Sequence, residues 1–143
     1  MKLLYITGNH HKITVALKYL NPLGLQFEGK ALDLIEIQSD DITKIAEDKA
    51  KQAFQVVRQP LFVNDAGWSI PALNGFPGPF MRYINDWFTF DDLLRLMKDK
   101  KDRSIYFKEV FCFADGKTTK TFLGQKKGAV LERPEGDEGI SRS

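Results

Sequence analysis

The sequence predicts a mixed α/β fold: a twisted sheet flanked by helices, with an antiparallel hairpin portion. Three observations predict it. The chain opens on a short apolar run closed by a glycine, "KLLYIT" at 2–7 followed by Gly8. A stretch with helical apolar spacing at 41–58 leads into a second apolar run, "LFV" at 61–63. Near the end, two β-rich runs flank Asp115-Gly116.

The elements follow in order. Residues 2–7 read as a buried strand. Residues 9–20 read as a helix, because Ile13, Ala16, Leu17 and Leu20 recur at helical spacing and Asn9 can cap the start. "NPLG" at 21–24 breaks the chain, and 25–37 reads as strand and connection. Over 41–58, Ile42, Ile45, Ala46, Ala50, Ala53, Phe54 and Val57 trace one apolar stripe, with Ser39, Asp40 or Asp41 as cap. A strand over 61–64, an Asn-Asp-Ala-Gly turn and a short apolar piece, "WSIPAL", come next. "NGFPGPF" at 74–80 holds two Gly and two Pro in seven residues and must be a shaped loop. Short helices are expected over 81–87 and 90–98, the second with Thr89 and Asp92 as a capping box. "SIYFKEVFCFADGKTTKTFLGQKKGAVLE" reads as a hairpin with a type I′ turn at Asp115-Gly116. One α/β domain over 1–132 and a mobile polar tail over 133–143 complete the expectation.

Composition narrows the function classes. A length of 143 residues suits one domain with a real core. A net charge of +2 gives no reason to expect nucleic acid or a membrane surface as partner. "KDKKDR" at 98–103 reads as a solvated helix end. The single cysteine, Cys112, sits in an apolar run and reads as a buried small hydrophobe, consistent with a reducing compartment. The N-terminus turns polar too soon for a signal peptide or a membrane span.

Four places can carry chemistry. "TGNHHK" at 7–12 joins a strand to a helix start, where unpaired N–H groups and the helix dipole favour an anion. Gly8 would let a ligand approach the backbone, Asn9 offers amide donors, and Lys12 adds a full charge in the first turn. An ordinary capped turn explains the same residues equally well. The spacing is not that of a Walker A loop. His10 and His11 point about 100° apart on a helix and do not converge on a metal, though one of them could touch a phosphate.

Asp65 is the second candidate: a carboxylate at the carboxyl end of a strand, where ligands of open α/β sheets bind. The competing reading is an Asx turn. Glu36, between two isoleucines, is either a solvent-facing strand residue or a partner of Asp65 in holding Mg²⁺. Arg82, after the Gly-Pro loop, could clamp a phosphate or stand free on a short helix. Phe76, Phe80 and Tyr83 beside it could stack on a base or pack in the core.

In this order, the pieces resemble the inosine triphosphate pyrophosphatase family, whose members hydrolyse non-standard purine nucleoside triphosphates. "ITGNHHK" is similar to the family's Thr-Gly-Asn-x-x-Lys phosphate loop. "LIEIQSDDITKIAEDKAKQA" is similar to its acidic segment and helix, and "LFVNDAGWSIPALNGFPGPFMRY" to its strand, acidic pair and Leu-x-Gly-x-Pro-Gly segment. "ALNGFPGPF" is the most specific of these, and the likeness covers nearly the whole chain. The resemblance implies that Thr7, Gly8, Asn9 and Lys12 hold the triphosphate, that Glu36 and Asp65 bind Mg²⁺, and that Asp65 also orients or deprotonates the attacking water. Lys12 and Arg82 would stabilise the transferring group. It further implies a cytoplasmic homodimer acting on a nucleoside triphosphate, with monophosphate and pyrophosphate as products.

The chain departs from that pattern in three places. Asn64 stands where the family has a second acid, keeping a polar contact but losing a charge. Val15 replaces a glutamate three residues after the loop lysine. The sequence ends "GDEGISRS", where the family continues into an aromatic-Gly-aromatic-Asp segment, a lysine and a Ser-His-Arg that help recognise the base. From this we expect altered base choice, help from a partner subunit, or a catalytically weak nucleotide-binding relative. A pyrophosphatase of the septum-formation-inhibitor type is a further alternative, against which "ALNGFPGPF" argues.

Overall fold

β1 (Leu3–Ile6) is buried along most of its length, as expected of a parallel strand covered on both faces. The computed structural model to which it belongs describes residues 2–135. They form two compact units. The first runs to Asp65 and includes Val110–Leu123; the second takes Ala66–Glu109 and the described residues from Gly124 on. The tail expected over 133–143 lies outside the described residues from 136 onward.

In the first unit β1 pairs in parallel with β2 (Phe27–Lys30), from Leu3↔Phe27 to Ile6↔Lys30. On its other side it pairs in parallel with β3 (Leu61–Ser69), through Leu4↔Leu61 and Tyr5↔Phe62. α1 (His10–Leu20) connects β1 to β2, and α2 (Ile42–Val57) crosses back to β3. With β5 (Ser104–Ala114) and β6 (Thr119–Ala129) the strand order is β2-β1-β3-β5-β6. The chain therefore reverses direction across the sheet between β1 and β3. Such a reversal opens a crevice at the carboxyl ends of the two strands.

Side-chain alternation sends successive residues of β3 to opposite faces. Leu61 and Val63 join Leu4, Ile6, Val110 and Cys112 against Ile42, Ala46, Ala50 and Ala53 of α2. Phe62 joins Tyr5 on the other face, against Ala16, Ile13 and Leu20 of α1. Tyr5 and Phe62 stack at 4.4 Å, with Phe27 edge-on to them at 5.7 and 5.3 Å. Both helix starts match their capping residues. Asn9 accepts the Lys12 N–H at 3.1 Å, and Asp41 accepts the Thr43 N–H at 2.9 Å. Cys112 is fully buried, and that burial pushes its thiol up to about 11. It is the small hydrophobe expected.

The second unit contains β4 (Pro77–Gly78), α3 (Met81–Trp87) and α4 (Phe90–Leu96). The capping box of Thr89 and Asp92 forms as expected, although α4 ends at Leu96 rather than 98. "KDKKDR" is not uniformly solvated. Arg103 turns inward and donates to the carbonyls of Met97, Val130 and Leu131, tying the end of the segment down.

Three expectations are corrected. No turn interrupts 64–67: β3 continues to Ser69, because Trp68 and Ser69 pair with Gly78 and Pro77 of β4. Gly67 is there for proximity, since a Cβ on it would lie 2.4 Å from the Gly78 carbonyl oxygen. The strand expected within 25–37 spans only Phe27–Lys30, and 31–39 has no regular structure, so Glu36 is not a strand residue. The hairpin forms, but only Gly116 has a positive φ, of +87°. A type I′ turn needs two such residues. Asp115 instead accepts the N–H groups of Lys117 and Thr118.

Candidate active site

Apart from Arg82 and the aromatic residues beside it, the residues singled out in the sequence belong to the first unit, and most gather where β1 and β3 end their pairing. After Tyr5↔Phe62, β1 gives way to the loop that starts α1, while β3 runs on past it. Thr7, Gly8 and Asn9 form that loop. The Thr7 hydroxyl accepts the Asn9 N–H at 3.1 Å, and Asn9 in turn caps α1 at Lys12. Gly8 is exposed, has no positive φ, and a Cβ there would meet only Ala31 Cβ, at 3.8 Å. The fold does not demand glycine at this point. His10 and His11 stand exposed in the first turn of α1.

Asp65 follows Leu61 and Val63 onto the α2 face. There it meets Lys49, whose Nζ lies 2.8 Å from Asp65 Oδ1 and 2.6 Å from Glu36 Oε2. The Asp65 side chain is only 15% exposed, and its second oxygen, Oδ2, is buried with no hydrogen-bond partner. Burial raises the Asp65 carboxyl above its ordinary value; the Lys49 charge and hydrogen bond oppose this, Glu36 adds to it, and Lys12 lowers it. Lys12 follows the loop at the carboxyl end of β1, the parallel neighbour of β3. For Lys49, burial pulls the ammonium down, but Asp65 and then Glu36 outweigh it and hold the group above its usual value.

Glu36 reaches Lys49 from the irregular 31–39 segment. That segment is fixed by Gln52 of α2, which accepts the Ile35 N–H at 3.1 Å and donates to the Ile35 carbonyl at 2.7 Å. Asn64 points the other way from Asp65, to the α1 face, where it is buried and accepts the Tyr5 hydroxyl at 2.6 Å. The residues adjacent in sequence are thus on opposite faces of the sheet. Arg82 is exposed on α3, in the second unit.

Lys49 is not among the residues the sequence singles out, yet a signal for it exists. The apolar stripe of α2 passes through Ile42, Ile45, Ala46, Ala50 and Ala53, and position 49 falls inside that pattern. A charge on a buried stripe needs partners.

Two carboxylates, one of them with an orphaned oxygen, and a nearby anion-type loop can hold a hard cation and a phosphate chain together. Mg²⁺ takes one or two carboxylates and completes its octahedron with water and phosphate oxygens. Among the described residues no group of three or more His, Cys, Asp and Glu gathers for a metal, so a zinc-type set is not formed. The buried, unpartnered Asp65 Oδ2 fits a hard cation.

A profile of the Ham1 family matches residues 3–141. The chain belongs to the Ham1 family. The family resemblance seen in "ITGNHHK" and "ALNGFPGPF" is thereby established. A dITP/XTP pyrophosphatase from Saccharolobus solfataricus is 35% identical over 140 residues, covering 98% of this chain and 73% of that protein. One from Methanopyrus kandleri is 37% identical over 142 residues, covering 98% and 75%. Among solved structures, a HAM1 protein from Coxiella burnetii superposes with a TM-score of 0.83 at 24% identity, covering 99% of this chain and 79% of the other. That last likeness carries the fold: a mixed sheet flanked by helices, as this Ham1-family sequence predicts.

Proposed function

We propose that this chain hydrolyses nucleoside triphosphates between the α- and β-phosphates, releasing a nucleoside monophosphate and pyrophosphate. Non-standard purines, the inosine and xanthosine triphosphates, are the expected substrates, and Mg²⁺ the expected cofactor. One observation carries the reading: Asp65, Glu36 and Lys49 converge at the switch point of the sheet, within electrostatic reach of Lys12 on the capped loop. The dITP/XTP pyrophosphatases at 35% and 37% identity support it.

In this reading the α1 N-terminus, Thr7, Gly8, Asn9 and Lys12 bind the triphosphate, with His10 or His11 in reach of a terminal phosphate. Glu36 and Asp65 would hold the cation, which when bound neutralises phosphate charge and activates water. Asp65 orients the attacking water and takes up its proton. The water oxygen bonds to the α-phosphorus, the bond to the bridging oxygen breaks, and pyrophosphate leaves with that oxygen. Lys12 stabilises the charge that builds on the transferring group. Arg82 is assigned a substrate contact, and Asn64 a polar contact that its bond to Tyr5 holds in place.

No helix among the described residues is long and apolar enough to cross a membrane. A buried, single cysteine suits the cytoplasm, and we place the protein there. Exposed Phe80, Tyr83, Trp87 and Phe90 in the second unit suit a homodimer.

The test is a panel of nucleoside triphosphates incubated with Mg²⁺. Pyrophosphate is expected, fastest from the inosine or xanthosine compounds. Orthophosphate alone would mean different chemistry. No release from any nucleotide would leave a nucleotide-binding relative in place of an enzyme.

A further inference from the structure

We propose that Lys49 is a displaceable internal counter-ion: it holds Glu36 and Asp65 together while no divalent cation is bound, and gives way when one binds. This rests on the assignment of the two carboxylates as the cation's ligands. The ammonium sits between them, 2.6 Å from Glu36 Oε2 and 2.8 Å from Asp65 Oδ1. A dication bound by the same two side chains would face that ammonium at close range, in a part-buried setting where like charges repel strongly. The two cannot share the pair unchanged.

The surroundings let Lys49 leave. Its side chain is 20% exposed, and its flexible stem can carry the charge outward. Glu36 is 53% exposed on an irregular segment, so its carboxylate can turn to either cation. Meanwhile the two hydrogen bonds between Gln52 and Ile35 keep that segment on α2 whichever cation is present. Asp65 retains a buried, unpartnered Oδ2 even with Lys49 in place, so the ammonium satisfies only part of the acid's need. Linkage then fixes two opposite effects of one residue: Lys49 stabilises the metal-free fold and weakens binding of the metal by the same coupling.

The experiment titrates Mn²⁺ into nucleotide-free protein, comparing the parent with Lys49→Gln. The variant is expected to bind Mn²⁺ about fivefold or more tightly, and to melt at a lower temperature without metal, with Mn²⁺ restoring the difference. A second measurement uses the unaltered chain. Saturating Mn²⁺ is expected to raise acetylation of Lys49 relative to the exposed Lys44 and Lys51. Equal or weaker Mn²⁺ binding by Lys49→Gln, or an unchanged Lys49 footprint, overturns the proposal. If the parent binds Mn²⁺ and Glu36→Gln does not, such a failure belongs to the counter-ion alone. If neither parent nor variant binds Mn²⁺, the metal assignment falls with it.

Discussion

Asn64 and Asp65 show how far apart neighbours in sequence can be in role. Asn64 is locked to the α1 face by the Tyr5 hydroxyl at 2.6 Å, while Asp65 faces α2 and Lys49. Tyr5→Phe should therefore lower the unfolding free energy by about 1–2 kcal/mol, read from denaturant melts, because a buried hydrogen bond is lost. Asp65 gives a pH signature. Its carboxyl is raised by burial, so the folded chain holds the proton to higher pH than the unfolded chain does. The contribution is favourable at low pH and is lost as pH rises from about 3.8 through the raised value. Metal-free Asp65→Asn protein lacks that loss, so parent stability should fall relative to the variant across this window. A parallel pair of curves would contradict it. The sequence named both residues, but only the alternation of a continuous strand separates their roles. The Asn-Asp-Ala-Gly string hides that strand behind a turn-like composition.

At the level of elements, two glycines carry opposite meanings. A Cβ on Gly67 would lie 2.4 Å from the backbone oxygen of Gly78, so Gly67→Ala should cost about 1–3 kcal/mol in a thermal or denaturant melt. A Cβ on Gly8 meets nothing nearer than 3.8 Å, so Gly8→Ala should melt with the parent yet bind nucleotide more weakly by calorimetry. A glycine inside an apolar strand signals close backbone approach as readily as a turn. Here the first meaning holds, because β4 needs the space. The helices were legible because their signals are local: Asn9, Asp41 and Thr89 each cap the helix they precede. Glu36 was legible only as a residue type. Its place depends on Gln52 and Lys49, distant in sequence, and no periodicity marks an irregular segment. Lys49 was open to detection as a charge on the buried stripe of α2.

For the molecule as a whole, the run of elements from β1 to β3 was enough to predict a mixed α/β fold with Asp65 at the carboxyl end of a strand, whereas the strand order and its reversal come from the structure. What unites the fold with chemistry is that three separated segments, the 7–12 loop, the 31–39 connector and the middle of β3, deliver their polar groups to that place. Association is a molecular-scale expectation too: sedimentation should report a dimer, and Trp87→Ser, which removes a large side chain that is 72% exposed, should shift it toward monomer. An unaltered sedimentation profile for the variant would remove the α3 surface from the interface. Pyrophosphate release from inosine triphosphate with Mg²⁺, measured for the parent and for Asp65→Asn, tests the role of this carboxylate most directly. The parent should release it, and the variant should be slower by about 100-fold or more while remaining folded. Equal rates in the two proteins would contradict the site assigned to the switch point of the sheet.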